Sequence, residues 1–146
     1  MYSLKFASIS KRMVAFGIDV LLILLVTFFL SFLLKPFFLL FGSLDGSDFF
    51  DEHVWIIRLI LAFCISFFYF CFFQSSSISS SLGQLFCKIK IVDAYENPIT
   101  FLRAIGRFFA FFLSVITLGF GFLMAFYTQN RQTLHDKICK TYVIDR

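Results

Sequence analysis

The chain has 146 residues, 60% of them hydrophobic and 15% charged, with a mean hydropathy of +0.88. That length holds one domain and not two substantial ones. Its 13 basic and 9 acidic side chains are too few for the polar coat of an ordinary soluble enzyme, a disordered chain or a secreted disulfide scaffold. The net charge of +4 comes from basic residues that flank apolar runs rather than forming a separate patch. They therefore read as membrane-orientation signals and not as a nucleic-acid surface. Phenylalanine, with 25 residues, reads as codon bias, since any bulky apolar side chain satisfies a lipid-facing position.

Residues 1–12, with Lys5, Lys11 and Arg12, are expected to be an N-terminal tail. Residues 13–34 form the first apolar run, interrupted by Asp19. At about 1.5 Å per residue it covers roughly 33 Å, enough to cross a hydrocarbon core of about 30 Å. It is too long for the apolar region of a signal peptide, carries a carboxylate and ends at Lys35-Pro36, so it predicts a retained transmembrane helix. Residues 35–53 read as a connector with Gly42, Gly46 and the acidic side chains Asp45, Asp48, Asp51 and Glu52. Residues 54–73 predict a second spanning helix, with Arg58 near enough to its end to extend back to the interface. The hydroxyl-rich residues 74–81 read as a linker.

Lys88-Ile89-Lys90-Ile91-Val92-Asp93 alternates charged and apolar residues before the turn-like Asn97-Pro98, which predicts a short half-buried strand. Lys140-Thr141-Tyr142-Val143-Ile144-Asp145 has the same β-branched character. Either strand alone would leave its ladder groups unpaired, so the two are expected to pair.

Between them lies the third apolar stretch, residues 101–127. Lys plus Arg number 3 in residues 1–12, 1 in 35–53, 4 in 74–107 and 4 in 128–146. The positive-inside rule then puts the N-terminus, the second connector and the tail of residues 128–146 in the cytoplasm, which three full spans cannot do. Gly119 and Gly121 permit a break. The preferred reading is a broken helical segment that enters, turns and returns, with a single third span as the alternative. The expected fold is an all-α integral membrane protein with two full transmembrane helices, a third apolar helical segment broken near Gly119–Gly121, and a small cytoplasmic two-stranded β element.

Asp19 is the sharpest chemical feature. A carboxylate inside a spanning helix costs on the order of 2.5 to 3.5 kcal/mol on insertion scales, so it should face protein or water. It reads either as a buried packing anchor or as a proton or cation site. Arg12 lies about 10 Å away along the helix, and Arg103 and Arg107 are four residues apart on the third segment. The expected pair is Asp19 with Arg107, leaving Arg12 for a surface partner such as Asp136. His135 and His53 form no metal-ligand set, and His135 reads as a solvated or capping residue. Cys64, Cys71, Cys87 and Cys139 have neither zinc nor redox spacing and read as small apolar filler. No nucleotide loop, nucleophile elbow or catalytic carboxylate pair is present, so neither an enzyme nor a cofactor or metal is expected.

Lys11-Arg12-Met13-Val14-Ala15-Phe16-Gly17-Ile18-Asp19, then Ser81-Leu82-Gly83-Gln84 leading to Lys90-Ile91-Val92-Asp93, then Arg131-Gln132-Thr133-Leu134-His135-Asp136 resemble the RDD family of bacterial membrane proteins. The resemblance covers residues from about 10 onward, so that 13–146 read as one RDD-like membrane domain. It implies that Arg12 and Asp19 take the first two motif positions and Asp136 the third, with Asp93 as the alternative. Gln84 stands where many relatives place a basic residue. The resemblance further implies a multi-pass protein of the bacterial inner membrane with a role in transport.

The leading functional expectation is small-solute or cation/proton transport through Asp19 and Arg107, with Asp93, Arg103 and His135 as secondary candidates. Two spans are too few to enclose a pathway, so a homo-oligomer or membrane protein partner in the lipid bilayer is expected. The alternative is a non-transporting scaffold or assembly factor whose charges lock the fold.

Overall fold

A computed structural model describes the backbone of residues 5–45, 49–117 and 119–146, with side chains described for all of these except 37–39, 41–45 and 49–54. The first apolar run becomes α1 (Ile9–Asp45), 37 residues long, or roughly 55 Å. The Ser8 hydroxyl accepts the Lys11 N–H at its start. The second becomes α2 (Phe49–Ser75). Ile9–Pro36 and Trp55–Ser75 are both long and apolar enough to cross a membrane. The connector expected over 35–53 is corrected, because helix continues through Pro36 to Asp45 and resumes at Phe49. Proline removes one intrahelical hydrogen bond, and the apolar residues that follow it sustain the helix. The side chains of Asp45, Asp51, Glu52 and His53, and all of Asp48, lie outside the described residues.

The chain divides into two units. One is Val20–Ser66, formed by the middle and end of α1 and the first part of α2. In it Ile23, Thr27 and Ser31, every fourth residue, are buried, a spacing that forms one helical ridge. The Thr27 and Ser31 hydroxyls donate to the carbonyls of Ile23 and Thr27 at 2.7 Å each, so polar atoms within the apolar run are satisfied by their own helix.

The other unit joins Met1–Asp19 to Phe67–Arg146. Its remaining elements are α3 (Leu82–Phe86), β1 (Ile89–Val92), α4 (Phe101–Ile116), α5 (Phe120–Tyr127), α6 (Leu134–Ile138) and β2 (Tyr142–Asp145). The expected strand pair is present: β1 and β2 run antiparallel with Ile89 opposite Asp145 and Val92 opposite Tyr142. Residues expected to be a free N-terminal tail extend this sheet, as Phe6 bridges Ile144, the Ala7 N–H donates to Val143 and the Asp145 N–H to Lys5. On the other edge the Ile91 N–H donates to the Ser79 carbonyl at 2.7 Å, and Val92 bridges Pro98. Both edges are thus covered by the chain itself, which removes the usual template for strand addition.

Ala7, Ala15, Cys71, Ile89, Ile91, Ile99, Ala104, Phe108 and Val143 form the core of this unit. Cys71 is therefore filler as expected, with Cys87 packed against the same cluster and all four cysteines free. The linker expected at 74–81 is instead packed: Gln74, Ser79, Ser80 and Ser81 are buried. Serine hydroxyls can be buried here because they bond nearby groups, as Ser80 does with the Ile78 carbonyl at 3.1 Å.

The third apolar stretch breaks where expected. α4 and α5 are bent by 101°, with Gly119 at φ +84°, a left-handed conformation that glycine adopts without steric cost. The helices extend about 24 and 12 Å, each short of a hydrocarbon core of about 30 Å. α5 folds onto α4 so closely that a Cβ on Gly121 would lie 2.7 Å from the Ser114 side chain. Gly121→Ala is expected to destabilise the protein by about 1–3 kcal/mol through overpacking. Gly17→Ala, whose Cβ meets nothing within 4 Å, should be neutral or stabilising by up to about 1 kcal/mol. Thermal unfolding of both variants in one detergent checks the contrast, and equal melting temperatures would contradict it.

Candidate functional site: two buried carboxylates

Asp19 is 1% exposed and is held by three neutral donors. Its Oδ1 accepts the Tyr69 hydroxyl at 2.6 Å and the Gly83 N–H at 2.7 Å, and its Oδ2 accepts the Ser81 hydroxyl at 2.5 Å. Local chemistry builds this receptor. Ser81 caps α3 in a reciprocal box: the Gln84 N–H reaches the Ser81 hydroxyl at 3.4 Å, and the Ser81 N–H donates to Gln84 Oε1 at 3.0 Å. Such an S-x-x-Q spacing fixes a helix start. The Tyr69 hydroxyl, while donating to Asp19, accepts the Leu82 N–H at 2.9 Å. Gly83 is required by contact, since a Cβ there would lie 2.2 Å from the Ala15 carbonyl oxygen and 2.8 Å from Asp19 Oδ1.

Gln84 thereby acquires a reason. The box needs an acceptor at that position, which a lysine or arginine lacks.

The second carboxylate, Asp136, is also 1% exposed. Arg12 donates through Nη1 to its Oδ2 at 3.0 Å, and Arg107 Nη1 approaches its Oδ1 at 2.7 Å. The Thr133 N–H at the start of α6 adds a bond to Oδ2 at 3.2 Å. Both guanidiniums are tied to the β2 region, Arg12 through the Val143 carbonyl at 3.2 Å and Arg107 through the Thr141 hydroxyl. Gln132 also donates to the Thr141 carbonyl at 3.0 Å. Burial by itself would raise the Asp136 carboxyl, but the guanidiniums of Arg107 and Arg12 and the Thr133 side chain hold it below the usual carboxylate range.

The expected pairing of Asp19 with Arg107 is therefore corrected. Position along α4 does not fix the azimuth of a side chain, and Arg107 turns to α6 and the β2 region. The pairing of Arg12 with Asp136 is present. Arg103, although on the same helix, is exposed and lies 3.9 Å from Asp93. Asp93 chiefly organises its turn, accepting the Tyr95 and Asn97 N–H groups at 2.8 and 2.9 Å.

His135 is not solvated. Its Nε2 lies 2.9 Å from the Thr133 hydroxyl and its Nδ1 3.4 Å from that of Ser114, and its ring packs beside those of Phe111 and Phe122. Burial lowers its pKa to about 4, with Asp136 opposing and Arg107 and Arg12 assisting. It is neutral near pH 7. Among the described residues no group of three metal-ligating side chains occurs. No motif marks Tyr69 or Thr141 as a site residue, and the S-x-x-Q spacing is the signal in the sequence for the receptor of Asp19.

The sequence model described as RDD family matches residues 6–140. The chain is 25% identical over 142 residues to the uncharacterized protein YxaI of Bacillus subtilis, covering 91% of this chain and 93% of that one. It is 34% identical over 86 residues to the uncharacterized protein RP437 of Rickettsia prowazekii, covering 58% of this chain and 45% of the relative. A proline-rich antigen homolog of Mycobacterium tuberculosis is 34% identical over 73 residues, covering 49% of this chain and 30% of the relative. No solved structure matches the chain.

The titration of the second site has a definite sign. His135 is depressed in the folded state to about 4 from 6.5, so between those values the unfolded chain binds the additional proton and stability falls as pH falls. A shift of that size corresponds to about 3 kcal/mol. Below that window protonation of Asp136, also depressed, removes further stability. Melting temperatures measured from pH 7 to pH 4 should decline in the wild type, and His135→Gln should flatten the part between pH 6.5 and 4. An unchanged slope in the variant would contradict this assignment.

Proposed function

The chain belongs to the RDD family of membrane proteins, and on that premise we propose that it is a multi-pass protein of the bacterial inner membrane that works as a non-transporting scaffold or assembly factor. Its motif charges lock a polar module onto the start of an apolar helix. The observation that carries this reading is the set of three neutral hydrogen bonds on Asp19. A carboxylate so engaged is a fixed cap for the 81–84 turn, whereas a carrier site needs oxygens that exchange partners with a travelling ion. Arg12 and Arg107 serve Asp136 in the same manner, each also bonded to the β2 region.

The large apolar side chains left exposed on the two long helices, among them Leu21, Phe28, Phe32, Leu59 and Phe72, suit lipid together with a second copy or a membrane protein partner. The N-terminus and the sheet are assigned to the cytoplasm on the distribution of lysine and arginine. Cation/proton transport by an oligomer is the second reading, supported by the presence of an ionisable group inside an apolar helix, where such groups commonly mark transport paths.

Asp19→Asn separates the two. The scaffold reading expects a loss of roughly 1.5–3 kcal/mol per weakened charge-assisted hydrogen bond, seen as a lowered melting temperature, together with no ion-dependent proton flux from wild-type proteoliposomes. Wild-type flux that disappears in an Asp19→Asn protein of unchanged melting temperature would establish transport instead.

A further inference from the structure

The cluster around Asp136 has more positive charge than the described residues around it balance. Arg12 and Arg107 face a single carboxylate, and His135 adds no charge near pH 7. Asp19, two turns along α1, has its oxygens engaged elsewhere. The Nε atoms of both arginines are buried without a hydrogen-bond partner among the described residues, as is Asp136 Oδ1, which Arg107 Nη1 approaches at 2.7 Å. Buried guanidinium N–H groups left unpaired are costly, and one carboxylate leaves the pair of guanidiniums with an excess positive charge that an anion would balance.

The cluster also has a route to one. Arg12 retains 12% side-chain exposure against 7% for Arg107, so the site opens on the Arg12 side. Arg131, an exposed residue, is close enough to act on the Arg12 charge and adds a third cation at that rim. Lys11, the next cation on α1, is already paired with Asp145 at 2.7 Å. Arg12 stands three residues into the apolar stretch Ile9–Pro36, the depth at which lipid headgroups meet a spanning helix.

We propose that Arg12 and Arg107, with Arg131 at the rim, form a binding site for one phosphate group, supplied by the headgroup of an anionic phospholipid or by free phosphate. Guanidiniums suit this ligand because their planar fork matches phosphate oxygens. Asp136 stays in place as the orienting carboxylate, and the phosphate meets the excess positive charge from the side on which Arg12 is exposed. The site is independent of whether the protein carries solutes, and it makes the motif arginine a contact to the membrane surface as well as a structural lock.

The full chain in a neutral detergent would be heated alone, with phosphatidylglycerol, with phosphatidylcholine, and with inorganic phosphate against chloride at equal ionic strength. Binding raises the melting temperature by mass action, by roughly 3 °C or more at saturating ligand. Phosphatidylglycerol acting beyond phosphatidylcholine identifies a lipid headgroup, and inorganic phosphate acting beyond chloride identifies a free anion. Arg131→Asn, at a positive-φ position that asparagine tolerates, should reduce the shift by half or more, measured from its own unliganded value. Lys137→Asn, an exposed cation on α6, should keep it. The proposal is overturned if neither phosphate source exceeds its control, if Arg131→Asn keeps the whole shift, or if Lys137→Asn loses as much.

Discussion

A carboxylate placed about two turns before the middle of a long apolar helix must find donors, and everything around the first site follows from that need. Asp19 is buried away from solvent, and its own helix has no N–H to spare. The donors come from residues far along the chain: Tyr69 on α2, and Ser81 and Gly83 at the start of α3. Bringing them in fixes where α2 ends and forces the serine-rich segment to pack. It also sets the approach of α3 to α1 at a distance only glycine allows. The sheet follows, because β1 begins two residues after α3 with its turn at Cys87 and Lys88, and its Ile91 N–H is held by Ser79 of the same packed segment.

The two buried aspartates solve the same electrostatic problem by different means. Asp19 is stabilised by dipoles, a hydroxyl pair and a backbone N–H, which cost little reorganisation and leave no unpaired cation behind. Asp136 is stabilised by full charges. A buried ion pair recovers its desolvation cost only when its remaining donors are also satisfied, and the Nε atoms of Arg12 and Arg107 are not. The first site is chemically closed, whereas the second keeps two cations on one carboxylate with the Nε atoms and Asp136 Oδ1 without hydrogen-bond partners among the described residues, so any exchange with the surroundings falls to the second.

The long apolar helices, the paired strands and the break at Gly119 were legible in the sequence because each rests on local pattern: run length, period-two alternation and glycine at a required conformation. The extension of α1 past Pro36 was not. A proline reads as a stop unless the residues after it are weighed as helix formers in their own right. The burial of Ser79, Ser80 and Ser81 was hidden for a related reason, since hydroxyl composition is shared by solvated linkers and by segments that satisfy themselves. Arg107 shows that position along a helix does not choose a partner. Its position along α4 was correct for either carboxylate, and only the rotation of that helix, set by Ala104, Phe108, Ala110 and Ser114 facing inward, decides for Asp136.

That rotation links the apolar part of the molecule to its polar part. The face of α4 that carries Arg107 also carries Ser114, which touches both Gly121 of α5 and His135 of α6. The bend at Gly119, the neutral histidine and the ion pair are therefore set by one helical face. A change in the angle between α4 and α5 would move Ser114 against His135 and, through α6, alter the position of Asp136 between its two arginines. The motif charges are in this sense coupled to the bent apolar segment α4–α5, and the coupling runs through contacts of small side chains rather than through a continuous chain of charge.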